Sequence, residues 1–280
     1  MIPAEFDYVA PDSLDAALAA LRDGGEDAKL LAGGHSLVPL MKLRLAAPSL
    51  LVDLRKVPGL SGVSRAGGAL HIGAMTRHHD VAMTAELGLA ATVAGRIADQ
   101  QVRNRGTIGG SLAHGDPAAD LPAVLLALEG SVIVRGESGA REIAAADLFQ
   151  DYFTTSIGAR EILTEVRMPA GDGWGTGYAK FNRRAEDWAM VAVCAAVRKA
   201  ADGSCADVRI GLTNMGGVPL RAGAAEQALR GRALDAQSIA AAAEHAAEGT
   251  DPPEDLNASP DYKRHLARVL CRRALEEAAA

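Results

Sequence analysis

Cysteine is scarce in this sequence of 280 residues, and the few cysteines present are far apart. Cys194, Cys205 and Cys271 form no C-x-x-C pair, and none has a histidine at the spacing of a zinc ligand. An iron–sulfur cluster usually needs about four cysteine ligands. The sequence therefore predicts separate thiols and no metal or iron–sulfur site on this chain.

Basic charge and aromatic side chains are also in short supply. The formal net charge is −6, and aromatic residues make up 4% of the chain. Nucleic-acid binding needs a clustered basic face and, for single strands, aromatic stacking platforms. No apolar run reaches the roughly 18 residues of a membrane span, and the N-terminus shows no secretory pattern. We expect a cytoplasmic protein that binds no nucleic acid, has no transmembrane segment and contacts the inner membrane face only peripherally.

The remaining composition, 49% hydrophobic residues and 30 glycines, is that of a globular protein with many tight turns. The N-terminal third alternates short strands with helices, one of them starting after Asp12 as N-cap and another spanning 87–98. The clearest boundary is the Pro- and Gly-rich stretch 169–173, and the glycines at 171–177 are interpreted as a domain junction. Three strands followed by three helices beyond it indicate an α+β domain.

A first glycine loop follows an apolar strand at 28–32. Glycines allow backbone N–H groups to converge on an anion, and a following histidine and serine can add donors. An ordinary strand-to-loop turn is the alternative for this short motif. The candidate binding residues are Ala32, Gly33, Gly34, His35, Ser36 and Leu37.

A second loop, at 106–120, interleaves four glycines with Thr, Ser, His and Asp. Neither loop has the G-x-G-x-x-G or the G-x-x-x-x-G-K-[ST] spacing. Together they predict a large phosphate-bearing cofactor that is bound outside the Rossmann and P-loop patterns, with the glycines leaving room for phosphate or ring. The candidates here are Thr107, Ile108, Gly109, Gly110 and Ser111.

The other titratable residues suggest no catalytic or metal site. His78 and His79 are adjacent on a predicted helix and are expected at the surface. Glu186 and Asp187 follow two arginines, which is typical of a solvated turn.

The two loops carry a resemblance to a known family. Ala-Gly-Gly-His-Ser at 32–36, Thr-Ile-Gly-Gly-Ser at 107–111 and Gly-Asp-Pro-Ala-Ala-Asp at 115–120 resemble the FAD-binding segments of the medium subunit of aerobic carbon monoxide dehydrogenase. This family is grouped with the flavin domain of xanthine dehydrogenase, and the resemblance extends over essentially the whole chain. It implies FAD as the cofactor, with Asp120 as a polar contact, Ile97 and Leu163 packed against it, and Lys180 near the flavin edge.

The fold that the resemblance implies is α+β, in three parts. Residues 1–55 would form an N-terminal α/β subdomain and 56–172 a central α+β subdomain, the pair making an FAD-binding domain of the PCMH/vanillyl-alcohol-oxidase type. Residues 173–280 would form the C-terminal α+β domain that is typical of CO dehydrogenase flavoproteins.

The resemblance also implies partners. A small subunit would carry [2Fe–2S] clusters and a large subunit the molybdenum pyranopterin, in a dimer of heterotrimers. Electrons would pass from these clusters through FAD to a quinone or another acceptor. The substrate of the complex stays open between CO and an N-heteroaromatic or aldehyde compound. A stand-alone flavin oxidase and a nucleotide-binding scaffold without redox activity are the alternatives of other classes.

Overall fold

The N-terminal unit is a small parallel sheet with helices. The computed structural model describes residues 2–280. Strands β1 (Asp7–Val9) and β2 (Ala28–Leu31) both pair with β3 (Leu50–Asp53) in parallel, in the order β1–β3–β2. Helix α1 (Leu14–Asp23) makes the crossover between β1 and β2. Ser13, not the predicted Asp12, caps α1, because its side chain accepts from the Ala16 N–H at 3.3 Å. Helix α2 (Leu37–Lys42) follows β2 in the chain.

The central unit is built on a five-stranded antiparallel sheet of order β4–β5–β10–β6–β7. Its strands are β4 (Val63–Ala66), β5 (Ala69–Gly73), β6 (Ser131–Gly136), β7 (Gly139–Ala144) and β10 (Ile162–Pro169), with a separate hairpin of β8 (Phe149–Asp151) and β9 (Thr154–Thr155). Its helices are α3 (His78–Met83), α4 (Leu89–Ala94), α5 (Gln100–Arg103), α6 (Ile108–His114), α7 (Asp120–Ala127) and α8 (Ala145–Leu148).

Helix α7 lies between helices α4 and α6 of this unit and the sheet of the C-terminal unit, and seven of its eight residues are buried. Such an all-round apolar helix belongs in a core. The helix predicted over 87–98 is shorter than expected, because Gly88 adopts a φ of 49° before α4 and Gly95 ends it.

The C-terminal unit is an antiparallel sheet of order β11–β12–β13–β14 covered by helices. Helix α11 lies across β11 and β12. A side chain at Gly175 or Gly177 would collide with the α11 backbone, at the carbonyl groups of Ala278 and Ala274. These two glycines were interpreted as part of a junction, but they lie inside a strand and let the helix approach it closely. The elements are β11 (Trp174–Phe181), β12 (Val191–Lys199), β13 (Cys205–Thr213), β14 (Leu220–Arg221), α9 (Gly223–Leu229), α10 (Ala236–Ala243) and α11 (Pro260–Ala279).

The α+β class predicted from the sequence is confirmed. Three clusters of buried apolar residues form the core, and neighbouring units share them: the central cluster includes Tyr178 and Cys194 of the C-terminal sheet, and the N-terminal cluster includes Ile162 of β10. Domain boundaries at 55 and 172 remain predictions. No helix within residues 2–280 is both long and apolar enough to cross a membrane.

Candidate functional site

The first glycine loop leaves the end of β2 and enters α2. Gly34 has a φ of 76°, a left-handed conformation that a side chain disfavours. His35 and Ser36 are exposed, and the Ser36 side chain makes no capping hydrogen bond to α2. The His35 Nδ1 lies 3.0 Å from the Gly33 carbonyl oxygen, which holds the ring over its own loop. Two polar side chains are thus presented at the loop surface.

The backbone of this loop offers hydrogen-bond donors. The N–H groups of residues 33–36 donate to no protein acceptor in the part of the chain that the structure describes. Consecutive amides in such a turn form a concavity that attracts anions, and no Cβ at 33 or 34 stands in the way. The residues present therefore fit a phosphate-bearing cofactor.

The second loop differs, because the N–H groups of residues 108–111 already donate to acceptors within the chain. The Ile108 N–H donates to the Thr76 carbonyl at 3.0 Å and the Gly109 N–H to the Ala74 carbonyl at 2.9 Å. Thr107 caps α6, its Oγ1 accepting from the Gly110 N–H at 3.2 Å. This loop can therefore supply a closely packed wall, while the first loop supplies the amide donors. Ser111 is half-buried on α6.

The structure brings the two loops into contact although more than 70 residues separate them in sequence. A Cβ on Gly33 would collide with the Arg105 carbonyl oxygen and lie 2.7 Å from the Gly106 Cα. A Cβ on Gly110 would lie 3.4 Å from the Ala32 Cβ. Glycine is thus needed at 33 because the backbone of the other loop lies against it, whereas at 110 the close obstacle is the Thr107 Oγ1 of its own loop, at 2.8 Å. The two loops are therefore adjacent, and their binding of one cofactor remains a prediction.

His78 is a residue of this site that the sequence reasoning missed. It was expected at the surface, but it is only 5% exposed, because the face of α3 that carries it also carries Val81 and faces the core. The backbone N–H of His78 donates to the Gly106 carbonyl at 2.9 Å, and a Cβ on Gly106 would lie 2.7 Å from the His78 ring. Its Nδ1 is buried without a partner among the described residues. The i, i+3 spacing with Val81 was the available signal.

Burial, followed by the charges of His35 and Arg103, lowers the pKa of His78 from 6.5 to about 4. The unfolded chain therefore takes up a proton at this ring near pH 6.5, whereas the folded chain does so only near pH 4. Between these values the unfolded state binds more protons, so folding stability falls as the pH falls. The contribution of the neutral His78 ring to the unfolding free energy is fully present above about pH 6.5 and is lost as the pH falls from 6.5 to about 4.

We expect His78→Gln to remove this dependence. On going from pH 7 to pH 5, the wild-type chain should lose about 2 kcal/mol more unfolding free energy than the variant. Urea unfolding of both chains at the two pH values measures the difference, in which the other titrating groups cancel. His265→Gln, at an exposed ring on α11 that is not among the groups acting on His78, is the control and should keep the wild-type pH dependence of the unfolding free energy. If the unfolding free energies of wild type and His78→Gln fell equally between pH 7 and pH 5, the assignment of a buried neutral ring to His78 would be contradicted.

Asp120 and Lys180, predicted separately, are partners. Lys180 Nζ lies 2.9 Å from Asp120 Oδ2, and both side chains are less than 8% exposed. The Tyr178 hydroxyl donates to the other carboxylate oxygen at 2.6 Å. Burial and the Asp120 carboxylate raise the pKa of Tyr178 well above its ordinary value, so this phenol stays a donor. Asp120 is thus held by residues of β11, across the junction between the central and C-terminal units.

The two apolar candidates lie in the central core. Leu163 is 6% exposed and pairs with Val134 in the sheet, while Ile97 is half-buried against the same core. Leu163 is linked to the second loop, because the neighbouring Thr164 carbonyl accepts from the Ala74 N–H at 3.0 Å and Ala74 supports Gly109. For Ile97, the structure shows a hydrogen bond from Arg103 to its carbonyl at 2.7 Å. Their contact with a cofactor remains a prediction.

The three cysteines are buried thiols. Burial raises the pKa of Cys194 and of Cys271 to about 12, so both are protonated at neutral pH and are poor nucleophiles. Within residues 2–280, no group of three or more His, Cys, Asp or Glu side chains is arranged to hold a metal ion. Glu186 lies in the exposed turn that was predicted for it.

Comparison with known proteins covers the chain from end to end. Residues 4–171 match the family described as the FAD binding domain in molybdopterin dehydrogenase, and residues 176–278 match the CO dehydrogenase flavoprotein C-terminal domain. The carbon monoxide dehydrogenase medium chain of Hydrogenophaga pseudoflava is 42% identical over 99% of this chain and 98% of its own. The 6-hydroxypseudooxynicotine dehydrogenase complex subunit alpha of Paenarthrobacter nicotinovorans is 40% identical over 99% of this chain and 96% of its own.

A solved structure agrees with these sequence relationships. The carbon monoxide dehydrogenase of Hydrogenophaga pseudoflava that lacks the Mo-pyranopterin moiety superimposes with a TM-score of 0.96 at 43% identity, over 99% of this chain and 98% of that one. The resemblance drawn from the two glycine loops is confirmed. The chain therefore belongs to the flavoprotein subunits of the molybdenum hydroxylases, with an FAD-binding domain of the molybdopterin dehydrogenases followed by the C-terminal domain of the CO dehydrogenase flavoproteins.

Proposed function

We propose that this chain is the FAD-carrying electron-transfer subunit of an aerobic carbon monoxide dehydrogenase. The proposal rests on one observation in a chain of this family. The loop at 32–37, with its backbone N–H groups that are unpaired within residues 2–280, lies in contact with the closely packed loop at 107–111. FAD, when bound, supplies redox chemistry that can accept electrons from one partner and pass them to another.

The amides of residues 33–36 would hold the anionic pyrophosphate, because they are the free donors of the site. His35 and Ser36 would add side-chain donors from the exposed edge of the same loop. Thr107, Ile108, Gly109, Gly110 and Ser111 would form the opposite wall, with Leu37, Ile97 and Leu163 as apolar contacts and Asp120 and Lys180 as the polar pair. Substrate oxidation takes place on another subunit in this proposal, so this chain needs no acid–base pair of its own.

The partners in this proposal are a small subunit with [2Fe–2S] clusters and a large subunit with the molybdenum pyranopterin, assembled as a dimer of heterotrimers in the cytoplasm. A quinone or another acceptor takes the electrons from FAD. CO is favoured as the substrate by the identity to a carbon monoxide dehydrogenase medium chain. A nitrogen-containing substrate is the second candidate, because a relative almost as similar is part of a 6-hydroxypseudooxynicotine dehydrogenase complex.

Purification of the tagged chain from its natural host tests this assignment. We expect a yellow complex in which two further subunits accompany the chain, one of them containing iron and sulfide and the other molybdenum. Neither loop contains a cysteine or tyrosine, and His35, the remaining candidate for a covalent flavin link, has its Nδ1 3.0 Å from the Gly33 carbonyl oxygen. We therefore expect non-covalent binding, so that acid denaturation releases FAD into the supernatant, whereas flavin that stays with the precipitated chain would point to His35. A chain that purifies alone and without flavin would contradict the proposal, and reduction of the complex by CO distinguishes the two substrate candidates.

A further inference from the structure

A buried polar cluster joins the FAD-binding part of the chain to the C-terminal domain. Tyr178 is 3% exposed, and its hydroxyl is the donor to Asp120 Oδ1 at 2.6 Å. Lys180, two residues further along β11, takes the other oxygen and also donates to the Arg96 carbonyl at 3.4 Å. The Arg96 guanidinium lies over the Tyr178 ring at 5.7 Å. Both oxygens of one buried carboxylate are thus held by donors from a single strand of the other domain.

The backbone of Tyr178 is held in place by helix α11. The Tyr178 backbone N–H donates to Glu277 Oε2 on α11 at 3.0 Å, so the strand, the long helix and the phenol are mutually placed. Asp120 is the last residue of the second glycine loop and opens α7, and Gly115 turns the chain between α6 and α7 with a φ of 66°. A buried carboxylate that loses a donor is costly, so the direction of Asp120 depends on the Tyr178 hydroxyl.

We propose that Tyr178 is a positioning residue of the FAD site, which holds the Asp120 carboxylate in place from the C-terminal domain. The proposal rests on the function proposed above, in which Asp120 is a polar contact of FAD. Lys180 supplies the positive charge that pairs with the Asp120 carboxylate. Tyr178 fixes the orientation of that carboxylate, because a phenol on a rigid strand has little rotamer freedom. The C-terminal domain thereby becomes part of the cofactor site.

The test is the affinity of the full chain for FAD in Tyr178→Phe, which keeps the ring packing and removes only the hydroxyl. Flavin is removed from the purified chain, and FAD is titrated back while its fluorescence is followed. We expect the Kd for FAD to rise about tenfold, because a hydrogen bond to a charged group is lost. Unfolding of the FAD-free chain is measured in parallel to separate binding from stability.

Glu129→Gln is the matched control. Glu129 follows the C-terminal end of α7 and pairs with Arg209 at 2.8 Å and with Arg221 at 3.3 Å, so it joins the same two domains at the opposite end of the same helix. Its loss should leave the Kd for FAD within twofold of wild type. A Tyr178→Phe chain that behaves in the same way, with a lower Tm and an unchanged Kd, would show a purely structural contact and overturn the proposal.

The double variant with Asp120→Ala tests whether Tyr178 acts through Asp120. In that background, Tyr178→Phe should change the Kd for FAD by less than twofold, since the carboxylate that it positions is absent. Independent, multiplying effects would overturn the proposal, and so would an unchanged Kd in Asp120→Ala alone, even if Tyr178→Phe were insoluble. A wild-type chain that binds no FAD would overturn the proposed function itself, which is a distinct result.

Discussion

A Gly33→Ala chain is expected to bind FAD about 10- to 100-fold more weakly than the wild-type chain. The added methyl group would collide with the Arg105 carbonyl oxygen and approach the Gly106 Cα, and both obstacles are backbone atoms of the second loop. Backbone cannot move aside as a flexible side chain does, so the two loops must separate. The amides of the first loop would then no longer face the wall that completes the site. Equilibrium titration of the FAD-free chain with FAD measures the loss.

Gly223→Ala is the matched control for this substitution. A Cβ at Gly223, at the start of α9, meets no heavy atom within 4 Å, and its backbone is not left-handed. The same one-carbon change should therefore leave the Kd for FAD unaltered. Wild-type affinity in a soluble Gly33→Ala chain would contradict both the contact between the loops and the proposed position of the site.

The sequence could indicate a candidate site because glycine is an unusually informative residue. Two clusters of glycines with small polar residues indicate that side chains are excluded from two short stretches. The sequence does not say what excludes them. Gly33 was interpreted as leaving space for phosphate or ring, whereas the structure shows that it also leaves space for the backbone of the other loop. The sequence can therefore show that a side chain is excluded at a position, but the atoms that exclude it belong to a distant part of the chain and are seen only in the structure.

Residues that act through distant partners were harder to predict for the same reason. Tyr178 lies 58 residues from Asp120 in sequence, and nothing in its own neighbourhood indicates a buried hydroxyl bonded to a carboxylate. His78 was misjudged because two adjacent histidines on a short helix resemble a solvated face, while the burial of one of them depends on how Gly106 packs. The resemblance to a family supplied Asp120 and Lys180 individually, and the structure shows that they form one pair.

The isolated, FAD-loaded chain is expected to exchange electrons with a chemical reductant and an artificial acceptor but to oxidise no substrate. Its three cysteines are buried and far apart in sequence, so they offer no cluster through which electrons could enter. Flavin would be its only redox group. In the proposed complex, electrons reach FAD from the [2Fe–2S] clusters of the small subunit, after the large subunit has oxidised the substrate. Separation from these partners removes the entry path and leaves the exit path from FAD intact.

Flavin absorbance under anaerobic conditions measures both paths in the purified, FAD-loaded chain. Dithionite should bleach the flavin, and an artificial acceptor should restore its colour, which shows that the cofactor is active and accessible. Under CO or an N-heteroaromatic substrate, the same chain should stay oxidised for as long as it is alone. Addition of both partner subunits should then produce bleaching with the substrate of the complex, whereas either partner alone should not. Rapid bleaching of the lone chain by a substrate would instead favour a stand-alone flavin oxidase, because only a substrate site on this chain could then deliver the electrons.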